Sequence, residues 1–127
     1  ISDTKLRLSA GEMTLLSKLV DGKYPDYAKA IPAANKKELR VATRPFSKAV
    51  DRVATVAVSE KIPSVKLHVD QHKMRLTSAS ASDSSRGAEE LEATFSEGPL
   101  DIGFNPRFLL DVLSLLESEE TIVLLND

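Results

Sequence analysis

Polar and apolar residues alternate over residues 5–9, break at Ala10-Gly11-Glu12, and resume an extended pattern over residues 13–20. Alternation with period two places one side chain in two on each face, so the pattern predicts two antiparallel strands joined at Ala10-Gly11. Pro25 suits the opening of a short helical turn over residues 26–31, which Pro32 stops. The stretch Pro32-Ala33-Ala34-Asn35-Lys36-Lys37 has little to bury and reads as a linker. Alternation returns over residues 38–43, a third strand, and Arg44-Pro45 then suits a helix start with Thr43 or Arg44 near the cap. Phe46, Ala49, Val50, Val53, Ala54 and Ala57 follow at three- and four-residue steps, one apolar stripe on an amphipathic helix of about four turns. Arg44, Lys48 and Arg52 line the opposite face at four-residue spacing, with Asp51 beside them.

Beyond Pro63, residues 65–69 and 73–77 form a hairpin across Asp70-Gln71-His72, and the Ser/Ala tract of residues 78–85 reads as a flexible loop. Residues 89–95 and 100–104 form a second hairpin around Glu97-Gly98-Pro99. Asn105-Pro106 predicts a helix start, an Asn cap with Pro at the first helical position, and the apolar set Phe108, Leu109, Val112, Leu113 and Leu116 runs to about Glu117. A last strand covers residues 121–125. Lys5-Leu6-Arg7-Leu8-Ser9 and Lys73-Met74-Arg75-Leu76-Thr77 share a pattern, and each leads into a further hairpin strand, which suggests two copies of one domain type with the first present only as its end.

The 127 residues are one ordinary domain's worth of chain, 42% hydrophobic and 28% charged, with six aromatics and no Cys or Trp. No run reaches the roughly 18 to 20 apolar residues of a membrane helix, and no secretory leader is recognisable, so the expectation is an intracellular, cytoplasmic protein with no membrane contact. Lack of Cys excludes disulfides and thiolate zinc sites. The net charge of −2 divides unevenly: residues 1–62 hold 12 Lys and Arg against 7 Asp and Glu, while residues 63–127 hold 5 against 12. Opposite halves of this kind fit a polyanion-facing surface in one and an acidic contact surface in the other.

Catalytic patterns are sparse. There is no Gly-rich phosphate loop, no zinc-ligand spacing and no Cys nucleophile. His68 and His72 fall across a strand and a turn, so they do not share a face as paired ligands on a helix would. The serines of the 78–85 tract have no His close in sequence to activate them. Glu89-Glu90 and Glu119-Glu120 are adjacent pairs, and neighbours on a strand point to opposite faces. The expectation is a protein without catalytic residues, metal or cofactor.

Ser17-Lys18-Leu19-Val20-Asp21-Gly22-Lys23-Tyr24-Pro25-Asp26-Tyr27 closely resembles the segment joining the middle and C-terminal domains of the bacterial β sliding clamps, processivity factors of the replicative DNA polymerase. Asp101-Ile102-Gly103-Phe104-Asn105-Pro106-Arg107-Phe108-Leu109-Leu110-Asp111-Val112-Leu113 is similar to the strand-to-helix segment of their last domain. The resemblance implies an α+β sliding-clamp fold, an antiparallel sheet with two helices on one face per domain. It implies that residues 1–31 end a middle domain and residues 32–127 form a C-terminal domain lacking its last hairpin and tail.

The resemblance also implies function: a non-catalytic subunit that closes head to tail with a second copy around duplex DNA and slides. Sliding requires phosphate attraction without base reading. The family lines its inner wall with helices, which makes Arg44, Lys48, Arg52 and Arg107 the expected DNA-facing set. Glu89 and Glu90 match an acidic edge that meets a basic edge of the neighbouring subunit, with Val56 and Ala57 as the apolar part of that joint. Pro25, Lys29, Ala30, Ile62, Asn105 and Phe108 correspond to a cleft that takes short peptides of the polymerase, the clamp loader and repair polymerases. Several of these depart from the family, which often has Arg at the position of Lys29, larger apolar residues at Ala30 and Ile62, and Tyr at Phe108. Loss of the Arg fork and the Tyr hydroxyl leaves apolar burial as the main contribution there. The competing readings are an α/β interaction module that forms no ring and, more distantly, a hydrolase using the Ser tract or the acidic pairs.

Overall fold

The computed structural model describes residues 4–58, 60–82 and 84–126. The chain divides into two compact units between Ala33 and Ala34. In the first, β1 (Lys5–Ala10) and β2 (Met13–Lys18) pair antiparallel with Ala10 opposite Met13. The connection is therefore Gly11-Glu12 alone, and Gly11 takes φ 59°, the left-handed conformation that such a two-residue turn needs. Asp26 then caps a 3-10 turn, Tyr27–Ala30, by accepting from the Ala28 N–H at 3.2 Å.

The second unit holds β3 (Lys37–Ala42), α1 (Thr43–Ala54), β4 (Val65–Val69), β5 (Lys73–Ala79), β6 (Arg86–Phe95), β7 (Leu100–Phe104), α2 (Pro106–Leu113) and β8 (Glu120–Leu125). Its antiparallel sheet runs in the order β7-β4-β5-β6-β3-β8. Val65, Leu67 and Val69 of β4, Met74 and Leu76 of β5, and Leu39 and Val41 of β3 point to one face, where Phe46, Ala49, Val50 and Val53 of α1 and Leu113 of α2 bury them. Both helices thus cover the same face. The residues between, such as Lys66, His68, Arg75, Glu90 and Arg40, stand exposed on the other. Asn35 is tied into this unit, its side-chain N–H donating to the Leu124 carbonyl at 3.0 Å.

Four expectations are corrected. The strands at residues 86–95 and 100–104 are not a hairpin: β6 pairs with β5 and β3, whereas β7 pairs with β4 at the sheet's end, with β4 and β5 between it and β6. Neither Thr43 nor Arg44 caps α1: Ala42 occupies the cap position without a side-chain bond, and Thr43 lies inside the helix, its buried hydroxyl 2.8 Å from that of Thr121. α2 ends at Leu113, short of Glu117, and buries only part of the expected apolar set. Leu109, Leu110 and Leu113 face the core, while Phe108, Val112 and Leu116 are exposed, Phe108 by 68%. The tract of residues 78–85 is held by the fold: β5 continues to Ala79, Ser78 and Ser80 are buried, and Ser78 donates to the Ser64 carbonyl at 2.9 Å. Asp83, in the same tract, lies outside the described residues.

Glu60 does much of that holding. Its Oε1 accepts from the Ser80 hydroxyl and the Ala81 N–H, both at 2.8 Å, and from the Ser82 N–H at 3.4 Å. These bonds favour the charged carboxylate, the Ser80 hydroxyl most, and hold the Glu60 carboxyl below its ordinary value. A carboxyl lowered by folding contributes stability above its unfolded value, and that contribution is lost as pH falls through the folded value. In a carboxyl-carbon NMR titration Glu60 should therefore titrate below an ordinary glutamate, and Ser80→Ala should move its midpoint back up. A Glu60 midpoint unmoved by Ser80→Ala would refute the assignment.

Candidate functional site

Helix α1 forms because its apolar side chains fall on one stripe, and the same geometry sets its polar residues on the other side. Arg44 and Lys48 are exposed there and make no ion pair among the described residues. Arg52 differs. Its guanidinium grips the Glu89 carboxylate with both arms, Nε on Oε1 and Nη2 donating to Oε2 at 2.6 Å. The bond lowers the Glu89 carboxyl below its ordinary value and raises Arg52 above its own. Arg107 enters the same helical layer through α2, where the Asn105 side chain accepts its backbone N–H at 3.0 Å and caps the helix. A groove of about 410 Å³ between the end of α1 and the start of α2 is lined by Asp51, Val58 and Arg107, among others.

Strand β6 carries the acidic residues. Only Ala93, Thr94 and Phe95 pair with β3, whereas residues 86–92 pair with β5 alone, so their other side is an open sheet edge among the described residues. Along this edge Glu89 turns toward α1 and Arg52, and Glu90 turns to the opposite face, where Lys73 Nζ lies 3.3 Å away. At its start β6 runs against the end of α1: a Cβ built on Gly87 would lie 2.9 Å from Val56 Cγ2. Val56 is half-buried and Ala57 is 1% exposed, so the exposed apolar side chain at this end is that of Val58, at 76%. The α-helix gives way here to a 3-10 turn, Thr55–Ala57, which advances about 120° per residue instead of 100° and rotates the stripe. Nothing in the apolar spacing announces that change.

The six residues assigned to a peptide cleft fall in both units. Pro25, Lys29 and Ala30 belong to the first, and all three are exposed at or beside its 3-10 turn. Ile62, Asn105 and Phe108 belong to the second. Ile62 and Phe108 are exposed, while Asn105 is half-buried at its cap position.

The family model of the DNA polymerase III beta subunit, C-terminal domain, matches residues 28–127. The chain belongs to this family. The beta sliding clamp of Caulobacter vibrioides is 43% identical to it over 112 residues, 88% of this chain and 30% of that protein. The beta sliding clamp of Escherichia coli K12 is 32% identical over all 127 residues, 34% of its own length. The DnaN sliding clamp of Bartonella birtlesii, solved bound to griselimycin, superposes with a TM-score of 0.82 at 41% identity over the whole chain and 34% of that one. The chain thus spans about a third of the length of the clamps it matches, and its α+β fold is the sliding-clamp fold.

Proposed function

We propose that this chain is part of a non-catalytic sliding-clamp subunit that encircles duplex DNA with a second copy and keeps a bacterial replicative polymerase on its template. Membership of the beta-subunit family over residues 28–127 is the observation that carries this reading. On it, residues 1–31 end a middle domain, residues 32–127 belong to the C-terminal domain, and the protein works on the chromosome in the cytoplasm.

The ring needs a joint, and the open edge of β6 supports one. An unpaired strand edge presents free backbone N–H and C=O groups to a neighbouring strand, and the acidic Glu89 and Glu90 favour a basic partner edge over a second acidic one. Arg44, Lys48 and Arg107 on the helical layer are the cations we assign to DNA. Arg52 lies between the two surfaces, and its grip on Glu89 ties the helix to the edge. Pro25, Lys29, Ala30, Ile62, Asn105 and Phe108 are assigned to the cleft for short peptides of the polymerase, clamp loader and repair polymerases. The exposed ring of Phe108 is the kind of apolar anchor such a cleft requires.

The test is topological. The intact protein, loaded onto nicked circular DNA and passed through a gel-filtration column, should stay with the circle and be released once a restriction enzyme linearises it. Equal retention on both forms would contradict encirclement.

A further inference from the structure

The sheet face turned away from the helices holds a depression of about 570 Å³ over strands β4, β5 and β6. Its floor is short: Thr77 at the centre, with Ala88 directly across on β6 and Ala79 two residues along β5. Three long cations surround that floor. Lys66 lies directly across from Thr77 on β4, Arg75 precedes it by two residues on β5, and Arg86 lies opposite Ala79 on β6. Side chains directly opposite have Cβ atoms about 5 Å apart and diagonal neighbours about 7–8 Å apart, so all three heads can reach one point above Thr77.

The donors there are largely uncommitted. Arg75, Arg86 and the Thr77 hydroxyl have no hydrogen-bond or ion-pair partner among the described residues. Lys66 is shared with Asp101, at 3.3 Å. The carboxylates nearest the rim are engaged elsewhere, Glu90 by Lys73 at 3.3 Å and Asp101 by His68 at 2.7 Å. Those acidic neighbours interrupt any continuous positive track, so the depression suits a compact anion better than a nucleic-acid strand.

We propose that this depression is a binding site for a phosphate group, held by the Arg75 and Arg86 guanidinium groups with Lys66 and the Thr77 hydroxyl. Two planar forks, an ammonium and a hydroxyl offer more donors than one carboxylate can accept, and they match the several oxygens of a tetrahedral dianion. The ligand is inorganic phosphate or the phosphate of a small nucleotide. The site lies on the sheet face opposite the helical layer.

Isothermal titration calorimetry of the intact protein at constant ionic strength tests it, with inorganic phosphate in one arm and a nucleoside monophosphate in the other. Saturable binding with a Kd on the order of millimolar is expected in at least one arm, weakened at least about tenfold by Arg75→Gln with Arg86→Gln and unchanged by Lys61→Gln, an exposed cation in the connection between α1 and β4 that does not line the depression. The tighter arm identifies the source of the phosphate. Circular dichroism of the double variant, unchanged from the parent, excludes unfolding as the cause. Absence of saturable heat in both arms, or undiminished binding by the folded double variant, would overturn the proposal.

Discussion

Phe46→Ala is expected to destabilise the second unit by about 3–5 kcal/mol, a large share of the roughly 5–15 kcal/mol that holds a small domain together. Phe46 is 1% exposed and is the largest fully buried side chain, set between α1 and the sheet. Truncation removes its apolar burial and leaves a void that Leu39, Val50 and their neighbours fill only in part. Urea denaturation followed by far-UV circular dichroism measures the loss. Phe108→Ala is the internal comparison, because its ring is exposed and its removal should stay within about 0.5 kcal/mol. Equal effects from the two substitutions would mean that α1 does not pack as described.

The second large effect is on DNA. Each phosphate contact made by Lys or Arg contributes about 0.9 to the slope of log K against log salt. Replacing Arg44, Lys48 and Arg107 together by Gln in the intact protein should therefore lower the magnitude of that slope by up to about 2.7. Arg52→Gln alone should leave it nearly unchanged, because the Arg52 fork is occupied by Glu89. Fluorescence anisotropy with a labelled duplex, repeated across a salt series, gives the slopes. A drop for Arg52→Gln as large as that for Lys48→Gln would show that Glu89 does not withhold Arg52 from phosphate.

The elements were legible wherever the period was unambiguous. Phe46, Ala49, Val50 and Val53 repeat at helical spacing against charged neighbours, so the buried face of α1 could be read before its partners were known. In α2 nearly every position from Phe108 to Val112 is apolar except Asp111, so two stripes were available, and packing against α1 selected the one through Leu109, Leu110 and Leu113. The Ser tract looked loose because its organiser, Glu60, lies twenty residues upstream of Ser80 and no local pattern joins them. Pairings across the sheet were equally hidden: β6 between β5 and β3, and β3 beside β8, bring together residues far apart in sequence.

The candidate sites were legible only in part, and for a related reason. Family motifs nominated Arg52 and Glu89 for different surfaces, one toward DNA and one toward a neighbouring subunit, yet 37 residues of separation hid that they bind each other. Asn105 could be read from its own chemistry, since an Asn followed by Pro suits a helix start and caps α2 as expected. Val58 escaped notice because the tightening of α1 into a 3-10 turn leaves no trace in hydrophobic spacing.

Strand β6 does not change conformation where its second partner ends. Residues 86–92 continue in one strand from residues 93–95, which β3 holds, and β5 pins residues 86–92 along their whole length. Ordering a backbone residue costs about 1–2 kcal/mol, and here that cost falls during folding of the unit. A strand arriving from a neighbour would meet an edge already extended, so the affinity of the joint would rest on the contacts formed and on how well ordered the incoming strand is.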